Sequence, residues 1–272
     1  MKAWWPELLF APATPAAMKI SEDRPDVAVE VLPPGSPFDT EFNPARVRLF
    51  IDDSGIVKSQ SQEGQVALLL VAALNTILGR WGLNASAAWN ISGEPCSGVA
   101  IDTTDVDNNP NINPAIKCDC TYSNSTVCHI TKLKVYALNV VGQIPAELQN
   151  LTYLNNLNLQ QNYLTGPVPS FIGKFPMQYL SLAINPLSGT LPKELGNLTD
   201  LISLGISLNN FTGELPSELG NLANLEQISG FSGPFPSTFS KLKNLQIMWA
   251  SDNDFTGNIP DFIGSLTNLQ DL

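Results

Sequence analysis

The chain has few of the residues that enzyme chemistry and nucleic-acid binding require. It contains one histidine, His129, and only 14 Lys and Arg residues against 25 Asp and Glu residues, for a net charge of -11. Nucleic acid is excluded as a partner, because the acidic chain offers no basic surface to bind phosphate groups. A single histidine beside a cysteine supports neither a Ser-His-Asp nor a Cys-His nucleophile, so we expect no enzyme activity and no cofactor or metal.

Long apolar runs are also lacking. The longest, "VALLLVAAL" at 66–74, is about half of what a bilayer requires, so no membrane span is expected. The run predicts a buried or capping helix, and a displaced secretory leader is the second interpretation. Residues 1–10 show no leader pattern, and no G-x-G-x-x-G, H-R-D or D-F-G segment is present, so kinase activity is not expected either.

The four cysteines are confined to residues 96–128, which predicts one small module crosslinked by disulfides. Three pairings are possible, and local loop length favours Cys96 with Cys118 and Cys120 with Cys128. Zinc ligation and free thiols are the alternatives, although adjacent Cys128 and His129 on a strand point to opposite faces. Disulfides imply a secretory compartment. Six N-x-S/T sequons agree with this interpretation, at Asn84, Asn90, Asn124, Asn150, Asn197 and Asn210.

The second half of the chain is repetitive. Segments such as "LTYLNNLNLQQNYLTGPVPSFIG" and "LTDLISLGISLNNFTGELPSELG" share a pattern whose proline recurs at 145, 169, 192, 216, 236 and 260, in steps of 24, 23, 24, 20 and 24. This period predicts a solenoid, in which Leu157 and Leu159 flank a short strand and Asn162 bonds backbone at the bend. The first repeat has Leu138 in place of that Asn. The fifth, "LEQISGFSGPFPSTFS", lacks the Asn and the second strand leucine, which predicts a short or bent strand.

These repeats, with "LNTILGRWGLNASAAWNISGEPCSG" and "IKCDCTYSNSTVCHITKLKV" before them, resemble the plant-type leucine-rich repeat and the N-terminal cap of plant receptor-kinase ectodomains over residues 64–272. The resemblance implies an N-terminal cap at 63–129 and about six repeats at 130–272, interrupted in a seventh. It also implies a secreted or cell-surface location, which the absence of a visible leader leaves uncertain.

Strand positions between the core leucines predict a polar concave surface that suits an extracellular peptide or glycan. A merely solvated surface is the alternative, as is packing of Trp249 against the short fifth repeat. In order, the predicted concave residues are Lys132, Lys134, Tyr136, Asn156, Asn158, Gln160, Tyr179, Ser181, Ser203, Ser207 and Trp249, of which Tyr136, Gln160, Tyr179 and Trp249 form the candidate ligand face.

The N-terminal stretch "VLPPGSPFDTEFNPARVRLFID" predicts strands at 27–32 and 46–52 around a loop at 33–45. Strand alternation places Val47, Leu49 and Ile51 on the core face and leaves Arg46 and Arg48 together on the other. Charge-assisted hydrogen bonds from these arginines would hold the loop extended on both sides of Thr40, with Asp39 and Glu41 as the acceptors. A solvated hairpin with incidental charges is the alternative.

Five stretches resemble, in order and spacing, the potato inhibitor I family of serine protease inhibitors over residues 1 to about 58. They are "WPEL", "DRPD", "VLP", "GS" and "RVRLFID". The resemblance implies a domain at 1–62 whose loop mimics a substrate, with Thr40-Glu41 as the scissile pair, Asp39 and Glu41 as loop acceptors and Arg46 and Arg48 as clamp donors. Its implied partner is a subtilisin- or chymotrypsin-like serine protease, in a setting of plant defence and the response to wounding. The chain departs from the family at Phe10, where Gly is usual, and at "VKSQSQEGQ", which replaces the closing strand and predicts an under-paired sheet edge.

The predicted architecture is therefore a small α+β inhibitor domain followed by an α/β leucine-rich-repeat solenoid with a disulfide-bearing cap. The predicted function is serine protease inhibition through a substrate-like loop, fused to a recognition scaffold. A ligand-recognition fragment of a receptor-like kinase without kinase activity is the first alternative. An inert product of gene fusion or truncation is the second.

Overall fold

The computed structural model describes residues 5–8, 10–36, 46–60, 73–84, 95–122, 127–230, 234–249 and 260–271. A helix at 73–80 follows on from the predicted helix at 66–74, most of which lies outside these ranges. Ala73, Leu74, Ile77 and Leu78 of this helix are buried in the solenoid core, as a capping helix requires. Among the described residues, no helix combines the length and the apolar character that a membrane crossing needs.

The N-terminal elements are a 3-10 helix at Pro6–Leu8, helix α1 at Ala13–Asp23 and three strands, β1 at Ala28–Leu32, β2 at Arg46–Ile51 and β3 at Val57–Gln60. Their sheet order is β1-β2-β3, with β1 parallel to β2 and β3 antiparallel to it. The hairpin interpretation is therefore wrong, because a hairpin joins antiparallel strands. The connection between the parallel strands β1 and β2 must instead cross back to the end of the sheet at which β1 begins. The predicted under-paired edge is also wrong, since β3 pairs with β2 along Leu49–Ile51.

A small core joins these elements. Trp5, Ala16, Ile20, Leu49 and Val57 are fully buried in it. The two α1 residues are four positions apart and therefore share one face of the helix. Val47 and Ile51 pack against the same cluster, which confirms the predicted core face of β2.

Phe10 carries backbone strain. Its φ is 67° and its side chain is 71% exposed, at the position where the family usually has Gly. Replacing Phe10 by Gly is therefore expected to raise the free energy of unfolding by about 1 kcal/mol, because the left-handed strain removed exceeds the chain entropy that Gly adds. Thermal denaturation would measure this.

The converse control is Gly55→Ala, because Gly55 has a φ of 75° and an added Cβ would have no atom within 4 Å. This variant should lose stability from backbone strain alone. A lower melting temperature for Phe10→Gly would show instead that the Phe10 ring contributes more than its backbone costs.

The second half is a solenoid built on one seven-stranded sheet. Its strands are β4 Ala115–Tyr122, β5 Val127–Lys134, β7 Asn156–Asn158, β9 Tyr179–Ser181, β11 Ser203–Gly205, β13 Gln227–Ser229 and β14 Ile247–Trp249. Their order is β14-β13-β11-β9-β7-β5-β4, antiparallel between β4 and β5 and parallel from β5 onward. Two short parallel pairs lie beside it, β6 Val141–Gly142 with β8 Tyr163–Leu164, and β10 Ser188–Gly189 with β12 Asn210–Phe211.

A 3-10 helix follows the recurring proline of each repeat. These helices span Ala146–Asn150, Ser170–Lys174, Lys193–Asn197, Ser217–Asn221, Ser237–Lys241 and Asp261–Ser265. The core of buried leucines lies between them and the sheet, so each repeat buries its apolar residues against its neighbours.

Asparagines at the bend link consecutive repeats. The Nδ2 of Asn162 donates to the carbonyl of Val135 in the preceding repeat at 2.8 Å and to two carbonyls of its own repeat. Its Oδ1 accepts from the backbone N–H of Leu138 and of Val140, both at 3.1 Å. The predicted role of Asn162 is thus confirmed, and Asn185 and Asn209 repeat it in the next two turns. We call these three side chains the asparagine ladder.

The fifth repeat keeps a regular strand. β13 has three residues in register with β11 and β14, so the predicted short or bent strand is wrong. The reason is Gly230, which stands where the second strand leucine is expected and has a φ of 94°. A Cβ there would lie 2.0 Å from the backbone nitrogen of Ser207, so only Gly lets the two repeats approach this closely.

Candidate functional site

The first candidate site is the base of the loop predicted at 33–45. Asp39, Thr40 and Glu41 lie outside the described residues, whereas Arg46 and Arg48 are on β2. In the parallel register, Ala28 is opposite Arg46 and Glu30 is opposite Arg48. Because side chains opposite each other share a face, Glu30 is brought to the same side of the sheet as both arginines.

Glu30 contacts both guanidinium groups through one oxygen. The Nε of Arg48 donates to Glu30 Oε2 at 2.9 Å, and the Nε of Arg46 lies 3.9 Å from the same atom. Arg48 is only 5% exposed, so its charge needs a nearby carboxylate. Sequence reasoning missed Glu30, because only the parallel pairing of β1 with β2 brings it opposite Arg48.

A second arginine–carboxylate pair fixes the turn that leads into β1. Arg24 donates to Asp26 from Nε at 2.7 Å and from an Nη at 2.6 Å, in a bidentate pair. The hydrogen bonds from Arg24 lower the pKa of Asp26, with the opposite charge acting in the same direction. The start of the strand that carries Glu30 is therefore held by an ionic contact of its own.

The cap of the solenoid contains two disulfides. Cys96 is bonded to Cys118 and Cys120 to Cys128, which is the pairing that local loop length favours. All four cysteines are used in this way, so none has a thiolate to offer a metal. His129 stacks on Tyr153 with ring centroids 3.6 Å apart, and burial lowers its pKa. The histidine thus has a packing role in the cap.

The second candidate site is the concave surface of the solenoid. Tyr136, Tyr179 and Trp249 are 37%, 43% and 57% exposed on it. The hydroxyl of Tyr136 donates to Gln161 Oε1 at 3.0 Å, and Ser181 Oγ donates to Gln160 Oε1 at 3.1 Å. The structure therefore presents aromatic rings and amides on a rigid sheet.

The cap covers the first part of this surface. Lys134 is 3% exposed and its Nζ donates to the carbonyls of Val106 at 2.6 Å and Asp107 at 3.1 Å, while burial lowers its pKa. Lys132 forms an ion pair with the same Asp107. Lys132 and Lys134, two of the predicted concave positions, are therefore not open to a ligand, because the segment at 105–109 occupies both ammonium groups.

The sequons fall into two groups. Asn84, Asn150, Asn197 and Asn210 are exposed, as an acceptor of N-glycosylation must be. Asn90 and Asn124 lie outside the described residues.

Known proteins match two separate parts of the chain, an N-terminal segment and the repeats. Residues 1–60 match the sequence model of the potato inhibitor I family, and 153–175, 177–198, 200–222 and 244–266 match that of the leucine-rich repeat. Subtilisin inhibitor 1 of Phaseolus angularis is 43% identical over 56 residues, which cover 21% of this chain and 61% of that protein. A probable LRR receptor-like serine/threonine-protein kinase of Arabidopsis thaliana is 55% identical over 100 residues, or 36% of this chain and 10% of the kinase.

Solved structures match the solenoid. The ectodomain of the receptor kinase SOBIR1 from Arabidopsis thaliana is 26% identical with a TM-score of 0.54, over 70% of this chain and 96% of that one. The GASSHO1/SCHENGEN3 ectodomain from Arabidopsis thaliana, in complex with CASPARIAN STRIP INTEGRITY FACTOR 2, is 31% identical with a TM-score of 0.54, over 60% and 20% of the two chains. The chain spans about a tenth of the length of the receptor-like kinase that it matches. Its N-terminal 60 residues are therefore similar to the potato inhibitor I family, and its repeats are similar to those of plant LRR receptor-like kinases.

Proposed function

We propose that residues 1–62 inhibit a subtilisin- or chymotrypsin-like serine protease and that the remaining residues are a recognition scaffold without enzymatic activity. The observation that carries the proposal is the group formed by Glu30, Arg46 and Arg48 at the base of the loop. It places two guanidinium groups shortly after the segment Asp39-Thr40-Glu41 in the sequence, in which a carboxylate stands on each side of the threonine. Residues 63–129 would be the cap of the scaffold and 130–272 its repeats.

The mechanism depends on a loop that is held in its bound shape. Asp39 and Glu41, which lie outside the described residues, would accept hydrogen bonds from Arg46 and Arg48, so that the backbone around Thr40 enters the protease without the ordering cost that a flexible peptide meets. Its extended backbone pairs with strands of the protease. If the serine of the protease attacks the Thr40-Glu41 bond, the same bonds would keep the released Glu41 amine beside the acyl-enzyme ester. Attack of this amine on the ester would then displace the serine and reseal the peptide bond.

Titration of subtilisin with the full chain tests this proposal. We expect stoichiometric loss of activity, slow release of active enzyme and a small fraction of chain cut at Thr40-Glu41. The small Thr40 side chain suits a protease with a modest specificity pocket. Rapid and complete cleavage of the loop, or no inhibition of serine proteases of either class, would contradict the proposal.

The scaffold has a candidate function of its own, binding of an extracellular peptide or glycan. Exposed Tyr179 and Trp249 supply contact area at low entropic cost on the sheet that also carries Gln160. The matched GASSHO1/SCHENGEN3 ectodomain, and a PEPR1–AtPEP1 complex at 26% identity and a TM-score of 0.54, are both described with bound factors. These relatives support a peptide as the first class of ligand to test.

Alanine at Tyr179 or Trp249 should then weaken binding about tenfold each, because exposed aromatics on an interface typically contribute more than 1 kcal/mol. Titration calorimetry against a panel of secreted plant peptides and cell-wall oligosaccharides would measure it. Tyr163→Ala is the matched control, since Tyr163 is 57% exposed but lies on β8 outside the main sheet. Equal affinities for all three variants, with the fold intact, would move the site away from the concave surface.

A further inference from the structure

We infer that Glu30 is a positioning residue of the inhibitory loop, acting through Arg48 and Arg46, an inference that rests on the proposed protease inhibition. Glu30 belongs to β1, the strand that ends before the loop, whereas the arginines belong to β2, the strand that begins after it. The contact therefore ties the two strands that the loop connects. None of the sequence stretches that resemble the inhibitor family includes this residue.

The geometry gives Glu30 a specific task. Arg46 and Arg48 are two residues apart on one strand face, so their like charges lie within roughly 7 Å of each other and repel. A single carboxylate oxygen, Glu30 Oε2, lies 2.9 Å from one Nε and 3.9 Å from the other. It offsets this repulsion and draws both guanidinium groups toward the same point.

The atoms used in the contact matter as well. Arg48 binds Glu30 through Nε, and a guanidinium has four further N–H donors on its two Nη atoms that take no part in this bond. The hydrogen bond at Nε therefore orients the plane of the guanidinium group, and this plane sets the directions in which the two Nη atoms point. Fixing Nε selects one rotamer of a long side chain before any loop carboxylate binds it.

Burial separates this role from that of an ordinary surface ion pair. Exposed pairs contribute little, but the Arg48 side chain is 6% exposed while that of Glu30 is 39% exposed. Loss of the Glu30 charge would remove the contact that holds Nε of this buried guanidinium, so the group would shift toward its other partners or toward water. Either response changes the position of the donor on which the loop depends, while the apolar core around Leu49 stays intact.

The test is Glu30→Gln in the full chain, compared with Glu22→Gln. The control removes the same charge from α1, where Glu22 has a 69% exposed side chain and lies 3.7 Å from Lys19. We expect Glu30→Gln to speed cleavage of the loop by subtilisin about tenfold, because a charge-assisted hydrogen bond to Arg48 becomes a weaker neutral one and the ion pair is lost. Glu22→Gln should leave both the rate and the melting temperature unchanged, and Glu30→Gln should remain folded at the assay temperature even where its melting temperature falls.

A spectroscopic measurement reports the contact without any protease. In 15N-labelled chain, the Nε–Hε signal of Arg48 should exchange slowly with water, and Glu30→Gln should shift it and accelerate its exchange. In a background that carries both Arg46→Met and Arg48→Met, Glu30→Gln should have little further effect on loop cleavage, because its influence passes through these two guanidinium groups.

Three outcomes decide between the two proposals. Absence of inhibition by the unmodified chain would contradict the proposed function, whatever the Arg48 signal shows. Unchanged loop cleavage in an inhibiting Glu30→Gln chain would overturn the role of Glu30 alone. Faster cleavage with an unchanged Arg48 signal would overturn it too, since the effect would then not act through the guanidinium.

Discussion

A chain that carries both Arg46→Ala and Arg48→Ala is expected to be cut by subtilisin at its loop and to inhibit the enzyme only transiently. In the proposed mechanism, each arginine would supply charge-assisted hydrogen bonds to the loop, worth roughly 1.5–3 kcal/mol apiece. Losing both should weaken inhibition by at least about 10²-fold at 1.4 kcal/mol per tenfold change. Steady-state inhibition and mass analysis of the cut chain would measure the change.

Lys19→Ala is the control for lost positive charge. Lys19 has a 46% exposed side chain on α1, where it pairs with Asp23 at 2.7 Å, away from the β2 face that carries the arginines. Its replacement should leave inhibition within about twofold, as expected for a surface pair. Undiminished inhibition by the double arginine variant would show that another part of the domain holds the loop in shape.

The second large effect is expected inside the solenoid, at Asn162. This side chain is 5% exposed and makes five hydrogen bonds to backbone, of which three are donated and two accepted. Asn162→Ala leaves buried N–H and carbonyl groups of two repeats without that partner, at about 1–3 kcal/mol for each group that stays unsatisfied. We expect the first repeats to lose at least about 3 kcal/mol, measured by urea denaturation and by hydrogen exchange of the Leu138 and Val140 amides.

Asn224→Ala is the matched control. Asn224 also donates from Nδ2 to the carbonyl of the preceding repeat, at 3.0 Å from Thr199, but this bond is exposed and single. Water can replace it, so the loss should stay near 1 kcal/mol or less. Similar losses for the two variants would mean that the ladder contributes no more than surface bonds do.

The solenoid could be predicted from the sequence because its signal is local and repeated. One repeat contains the strand leucines, the bend Asn162 and the turn before its proline, and each of these determines structure within a few residues. The fifth repeat was predicted wrongly because Gly230 acts through contact with Ser207 in the neighbouring repeat. A contact of that kind leaves no pattern within the repeat that contains it.

The arrangement of the N-terminal sheet could not be predicted in the same way. Two strands with alternating apolar residues look alike whether they pair parallel or antiparallel, so the alternation of Val47, Leu49 and Ile51 gave their shared face but not the partner of β2. Glu30 was missed for that reason. Lys134 was misplaced because the segment that covers it belongs to the non-repetitive cap and shows no period.

The asparagine ladder gives the array a direction. Asn162, Asn185 and Asn209 each bond the backbone of the repeat that precedes them, so three consecutive bends are each completed by the repeat encoded after them. Duplication or deletion of one whole repeat within this part of the array keeps each of these bends beside the asparagine of the next repeat. Insertion of part of a repeat would separate the bend from that asparagine. A sequence joined to the N-terminal side of the cap, where residues 1–60 lie in this chain, interrupts none of the hydrogen bonds of the asparagine ladder. The repeats could thus acquire an unrelated N-terminal domain by gene rearrangement without any change to their own hydrogen bonding.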